Sequence, residues 1–314
     1  MAWFQSTQQR SREAAEALTL KSRAVVAAVP LPRRPLVSVV MPCLNVADTI
    51  VPVLEHLERQ TYREFEVVIN LDRRSKDASE ALIRPFCERD PRFRLIFENT
   101  GMAQGRNAGK AASRGEYLLN MDADLAATET VIEEAVWRCE VEGADIVICP
   151  ELSVSNSFWG ECRALEKIGY LGDTLQESSG RFMRRKVSDA LGGADERLLA
   201  GEDYDYFLRA LAMGFKRGRI EAISWHHEYW TLKSKIRKMF RYGRSFPAYF
   251  RKYPVLGSKQ FFPVRRAYLT HIPLYLSDPI HTLGLFISNG LFYAAAGWGL
   301  ALGYWDVWLG RKKA

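Results

Sequence analysis

Short apolar runs recur along residues 36–150, each bounded by polar, Gly or Pro residues. Five of them, VSVVMP (37–42), FEVVINL (65–71), FRLIF (93–97), EYLLNM (116–121) and DIVICP (145–150), are too short for typical helices and rich in β-branched or large apolar side chains. They predict strands. The stretches between them, 47–60, 77–89, 103–113 and 128–142, are mixed in polarity and of helical length. This alternation predicts an α/β domain with a mostly parallel sheet and helices on both faces. In such sheets ligands bind in the crevice at the carboxyl ends of the strands. Residues 151–225 are less regular. They predict a helix over 158–173, a strand at RFMRR (181–185), a helix from near Glu202 and a strand at AISW (222–225), after which come His226 and His227. Residues 1–30 can form a helix with Ala14, Ala15, Ala17 and Leu18 on or near one face.

The last part of the chain reads differently. From Thr282 to Trp305 there are 24 residues without a charge, and a bilayer-spanning helix needs roughly 20. The net charge of +7 is unevenly spread: residues 37–215 carry 21 Lys and Arg against 31 Asp and Glu, whereas residues 216–272 carry 14 against 2. An acidic domain is thus followed by a basic segment and then an apolar tail, an order that suits an anionic membrane surface better than nucleic acid. The alternative for the tail is a buried core helix or an oligomer contact. A single span would put Arg311, Lys312 and Lys313 opposite the α/β domain, and Ser288-Asn289-Gly290 is turn-prone. The pattern therefore predicts two short helices, about 279–288 and 291–309, that dip into one leaflet and return. Tyr293, Trp298, Tyr304, Trp305 and Trp308 would supply interfacial aromatics. Five cysteines, Cys43, Cys87, Cys139, Cys149 and Cys162, have no CxxC or metal-ligand spacing and predict free thiols in a reducing compartment. The run Ala24–Val29 is too short for a secretory signal.

Polar residues cluster where the strands end. Pro42 and Asn45 follow the first, and Asp72 and Asp77 follow the second in LDRRSKD. The fourth ends in YLLNMDADL (117–125), with Asp122 and Asp124 one residue apart. Two neighbouring carboxylates either face water or hold something cationic between them. In NTGMAQGRNAGK (99–110), Gly101, Gly105 and Gly109 flank Arg106 and Asn107. Glycines let a backbone approach a phosphate and an arginine can neutralise one, although turns and caps also use spaced glycines.

Asn99, Gly101, Arg106, Asn107 and Gly109, then Ala112 and Gly115–Leu118, then Asp122–Asp124, follow the pattern N-x-G-x-x-x-x-R-N-x-G, A-x-x-G-E-Y-L, D-A-D. Downstream, GGADERLLAGEDYDYFLRALAMGF (192–215) adds a GG-x-DE and an E-D pair. In this order and spacing, residues 36–230 resemble the family 2 glycosyltransferases of GT-A fold. The resemblance implies an inverting, metal-dependent transfer of a sugar from a nucleotide-sugar to a hydroxyl acceptor, lipid-linked or polysaccharide. It implies Mg²⁺ or Mn²⁺ on Asp124 and Asp122, with His226 as a further candidate ligand. Pro42, Asn45, Asp72, Asn99, Gly101, Arg106, Asn107 and Asp122 would bind the nucleotide-sugar, with Asp122 nearer the ribose. Asp72 would read the base edge of a UDP- or GDP-sugar without choosing between them. Asp203 would be the general base, with Glu202 beside it at a helix N-terminus. A plain capping role is the alternative for that pair. The family's D-D-G-S-x-D reads Asp72-Arg73-Arg74-Ser75-Lys76-Asp77 here, so the base loop departs from the pattern. Arg241-Tyr242-Gly243-Arg244 resembles the Y-G-R segment that follows the catalytic domain in membrane-associated members, where it would cover the pyrophosphate or touch lipid phosphate.

The expected organisation is a helical extension over 1–35, a GT-A domain over 36–230 and a basic, then apolar, helical membrane-binding region over 231–314, placed at the cytoplasmic membrane face. Membrane lipid is an expected partner and nucleic acid is not. Two other classes are compatible with parts of the pattern. One is a non-catalytic, membrane-anchored nucleotide-sugar sensor. The other is a nucleotidyltransferase, whose Gly-rich, Lys-bearing loop is missing after Val40.

Overall fold

The computed structural model describes residues 6–98, 101–173, 176–177 and 180–311. Its strands are β1 Val37–Cys43, β2 Phe65–Leu71, β3 Phe93–Ile96, β4 Tyr117–Asn120, β5 Leu125–Ala127, β6 Ile146–Ile148, β7 Glu151–Val154, β8 Gly180–Arg184, β9 Arg217–Arg219 and β10 Ser224–His227. Its helices are α1 Thr7–Ala28, α2 Ile50–Glu58, α3 Ser79–Arg89, α4 Met102–Ala112, α5 Val131–Glu140, α6 Phe158–Tyr170 and α7 Arg185–Ala190, followed by α8 Glu202–Ala212, α9 Leu232–Lys252, α10 Pro254–Gln260, α11 Arg266–Thr270, α12 Ile272–Leu276 and α13 Pro279–Trp308.

Seven strands form one sheet in the order β3-β2-β1-β4-β8-β6-β9. The β3/β2, β2/β1, β1/β4 and β6/β9 pairs are parallel, and β8 runs antiparallel to both neighbours. Side-chain alternation puts Val37, Val39 and Met41 of β1 into one apolar core with α2 and α3 residues. Val40 faces the other way, into a core with Val187, Tyr206 and Phe207. Both faces of the sheet are therefore covered, as its near-continuous apolar strands require. Gly109 of α4 lies so close to Val40 that an added Cβ would collide with its side chain, which lets α4 seat directly on β1.

A second, three-stranded sheet has the order β5-β10-β7. Sequence reading placed a strand at 222–225 with the histidines after it; the structure puts His226 and His227 inside β10. The shift follows from pairing, because His226 lies opposite Leu125 of β5 and Ser153 of β7.

The predicted pair of short C-terminal helices is replaced by one continuous helix, α13, of 30 residues. Its turn-prone triplet is absorbed. Ser288 Oγ donates to Leu285 O, and Asn289 Nδ2 donates to Glu166 Oε1 and Tyr268 Oη, both at 3.0 Å. With these side chains satisfied, nothing favours breaking the helix. α13 is long and apolar enough to cross a membrane, yet it lies along α9 and α6. Backbone approaches at Gly243 on α9 and at Gly299 and Gly303 on α13 leave no room for a Cβ, and Arg244 Nε pairs with Asp306 Oδ2 at 2.7 Å. The opposite stripe, including Ile280, Leu283, Ile287, Trp298, Trp305 and Trp308, is exposed. Only 17% of the most apolar window of α13 is buried, which is not how the core helix of a water-soluble domain sits. The predicted N-terminal helix forms as α1, with Ala15 packed against Leu152 and Ile223. Its Thr7 Oγ1 donates to Asp278 Oδ2 at 2.7 Å, fastening it to the start of α13.

Candidate active site

A cavity of about 810 Å³ opens at the carboxyl ends of β1 and β4 and is walled on one side by α9. Its floor is the Asp122–Ala123–Asp124 turn, closed by Leu125 N–H donating to Asp122 O at 3.1 Å before β5 begins. The β5/β10 ladder continues through this turn, with His227 N–H donating to Asp124 O at 2.8 Å. It carries His226 to Asp124, where Nε2 lies 3.3 Å from Oδ2. His226 Nδ1 lies 3.3 Å from Glu151 Oε2 on β7. Burial lowers the imidazole's proton affinity, but Asp124 and Glu228 outweigh it and push the pKa up to about 9.

Asp122 is bound differently. Arg106 Nη2 donates to its Oδ1 at 2.6 Å, and Arg181 Nη1 pairs with its Oδ2 at 3.0 Å. Burial alone would raise its pKa; Arg181 and Arg106 reverse the sign and hold it at about 2. Arg106 Nη1 also donates to Glu202 Oε1 at 2.8 Å. One buried arginine thereby ties the β4 tip to the start of α8. Glu202 is pushed up to about 7, chiefly by desolvation, with Arg106 opposing and Asp203 adding to the rise. Asp203 lines the cavity, and its Oδ1 accepts from Tyr204 N–H at 2.9 Å. Gly201 precedes the pair with φ +80°, a left-handed turn that starts α8 without a side-chain cap.

Of the residues expected from sequence, Pro42, Asn45, Arg106, Asp122, Asp124, Glu202, Asp203 and His226 line this one cavity. Asn99 lies outside the described residues. Asp72, Gly101 and Asn107 are off the lining. Asp72 is buried and held by Arg74, whose Nε and Nη2 donate to its two oxygens at 3.1 and 2.8 Å. The Arg74 side chain keeps that carboxyl below the usual range. Asn107 Nδ2 donates to Ala194 O at 3.0 Å and its Oδ1 accepts from Ala194 N–H at 2.8 Å, pinning the 192–196 loop to α4. Gly101 takes φ +109° at the start of α4. Asn45, the one non-glycine among the described residues with positive φ, accepts from Lys76 N–H at 2.8 Å and joins the first two strand-tip loops.

Sequence reading missed Arg181 and Glu151, whereas the α9 segment around Arg241 and Tyr242 was an expected cover for the pyrophosphate and does line the cavity. Arg181 Nη2 pairs with Glu151 Oε1 at 2.6 Å, so it clamps both Asp122 and the carboxylate behind His226. The available signal was Arg181 itself, the first residue of the strand-like RFMRR. Ser234, Lys235, Lys238, Arg241, Tyr242 and Phe246 line the cavity at one-face helical spacing. Replacing Arg181 by Met is expected to cost up to about 3–5 kcal/mol of stability, the range for breaking a buried ion pair, because Asp122 keeps only Arg106 and Glu151 keeps only Lys167 and His226. The check is a lower denaturant midpoint at unchanged m-value.

No group of three or more His, Cys, Asp or Glu among the described residues is placed to hold a metal by itself. The donor set of Asp124 with His226 still fits a divalent ion that takes most of its ligands from substrate phosphates, a usual arrangement for Mg²⁺. Lys238 and Arg241, on the facing wall, make no ion pair with a carboxylate in the described structure and suit a diphosphate.

Residues 38–189 match glycosyl transferase family 2. The chain is 33% identical over 115 residues to the glycosyltransferase GlyG of Streptococcus pneumoniae, covering 36% of this chain and 38% of that one. It is 30% identical over 210 residues to the succinoglycan biosynthesis protein ExoO of Rhizobium meliloti, 57% of each. The matched stretch is thus little more than a third of GlyG and over half of ExoO. In fold, the structure is similar to the mannosyltransferase PcManGT of Pyrobaculum calidifontis, solved with GDP-Man and Mn²⁺. The TM-score is 0.59 at 17% identity, covering 96% of this chain and 97% of that one. Residues 38–189 thus carry a glycosyl transferase family 2 domain, and the structure has the GT-A fold.

Proposed function

We propose that the protein is an inverting glycosyltransferase that moves a sugar from a UDP- or GDP-sugar to a hydroxyl acceptor at the cytoplasmic membrane face. The observation that carries this reading is the single cavity in which Asp124 with His226 faces Asp203. Asp124 and His226 would hold Mn²⁺ or Mg²⁺, with Asp122 behind them, clamped by its two arginines. The ion supplies charge neutralisation for the departing diphosphate. Lys238 and Arg241 hold phosphate oxygens from the α9 side. Asp203 accepts the acceptor hydroxyl's proton as that oxygen attacks the anomeric carbon, and a single displacement inverts the configuration. Glu202, buried against Arg106, fixes the start of α8 and so aims its neighbour.

Membrane attachment rests on the exposed apolar stripe of α13 beside the basic 216–272 segment. The free cysteines agree with a reducing compartment.

Thermal shift across a set of nucleotide-sugars, with and without Mn²⁺, tests the donor side. One UDP- or GDP-sugar should raise the melting temperature only with metal, because a ligand bound only by the native state stabilises it. No stabilisation by any of them would remove the proposal.

A further inference from the structure

A second concavity, about 420 Å³, lies where α9, α10 and α13 meet. Its walls are Phe250, Pro254, Phe261, Phe262, Leu300 and Tyr304, with Ser258 at the rim. These walls carry no charge, and the Ser258 hydroxyl is already used, donating to Pro254 O at 2.6 Å. A peptide laid here would bring backbone N–H and C=O groups to a place with few polar partners. A hydrocarbon chain would need none.

The groove adjoins the catalytic cavity. Phe261 forms part of the wall of both. Its ring lies 4.5 Å from that of Phe246 on the cavity side and 5.8 Å from that of Phe250 on the groove side. Tyr249, 5.8 Å from Phe261, packs on Gly201, where an added Cβ would meet its ring at 2.8 Å. The groove therefore meets the cavity beside Gly201–Asp203 and away from the Asp72 loop. Phe262 of the wall is itself exposed, as are Val255 and Val264, which adjoin wall residues in the sequence.

We infer that this groove holds the hydrocarbon chain of an amphiphilic acceptor whose hydroxyl-bearing head reaches the catalytic cavity past Phe261. The inference rests on the transferase reading above and names its acceptor class. It assigns the chain to a built groove, distinct from the outward stripe of α13 that would face bulk lipid.

The probe is a dodecyl glycoside with a diazirine at the chain end, kept below its micelle-forming concentration and photolysed with the full-length protein. Labelling should fall on the 250–263 and 300–304 walls and saturate. Ser258→Trp, which fills the groove from its exposed rim, should weaken it on the order of a hundredfold, the loss expected when about four methylenes leave an apolar contact. Ser258→Ala should leave it unchanged, and Leu300→Trp blocks the groove from the opposite wall should the first variant fold poorly. Labelling confined to outward residues such as Trp298 and Trp308, or indifferent to both tryptophans, overturns the inference. The same samples are tested for stabilisation by nucleoside diphosphate with Mn²⁺. If that stabilisation is missing from the wild type while the groove labels, the donor reading has failed and takes the acceptor role with it. If it is present while the groove does not label, the groove alone is wrong.

Discussion

Asp203→Asn is expected to lower the transfer rate by about 10²–10⁴-fold, the usual worth of a positioned general base, with donor affinity and melting temperature little changed. Asparagine keeps an oxygen that can accept from Tyr204 N–H, as the Asp203 side chain does in the first turn of α8. The substitution therefore removes the base and spares this contact. Glu202 cannot stand in, because Arg106 holds it and its side chain is 10% exposed. Single-turnover rates with saturating donor give the comparison. An unchanged rate with a lower melting temperature would assign Asp203 to helix capping.

The second large effect is expected at Asp124. Asp124→Ala should abolish metal-stimulated transfer, on the order of a 10³-fold loss if the ion supplies about 4 kcal/mol to the transition state. Mn²⁺-dependent affinity for nucleoside diphosphate should fall with it, while affinity for the monophosphate, which lacks the second phosphate, should change less. The backbone hydrogen bond from His227 N–H to Asp124 O does not involve the side chain, so the β5/β10 ladder should survive. Titration calorimetry with each nucleotide, with metal and with chelator, separates these terms. Near-normal turnover in the variant would move the metal elsewhere.

The central strands β1, β2 and β4 were legible because they are buried on both faces and so read as near-continuous apolar runs. FEVVINL matches β2 to the residue. β5 and β9 were not legible, since three residues carry no usable period. At the site, the carboxylates announced themselves by position at the strand tips. Arg181 did not, since it comes from β8, the antiparallel strand beside β4, and His226, a candidate ligand by resemblance, reaches Asp124 only through the register of the small sheet. Neither relation exists before the strands pair. Asp72 and Asn107 show the opposite case. Their side chains are engaged by Arg74 and by the 192–196 loop, so a matching motif letter marks a loop-shaping residue in this conformation. At Ser288-Asn289-Gly290, local turn chemistry lost to tertiary hydrogen bonds that Asn289 donates to Glu166 and Tyr268.

α9 has the catalytic cavity on one side and α13 on the other, with Gly243, Gly299 and Gly303 removing the slack between the two helices. A bilayer that favours one seating of α13 on α9 must then favour one placement in the cavity of Lys238 and Arg241, the pair proposed to hold donor phosphates. Thermodynamic reciprocity runs the other way as well: whatever factor membrane attachment adds to donor affinity, bound donor adds to membrane attachment. Partitioning of the protein onto anionic vesicles should then depend on nucleotide-sugar concentration, and the lipid surface would act as an effector of the enzyme as well as its location.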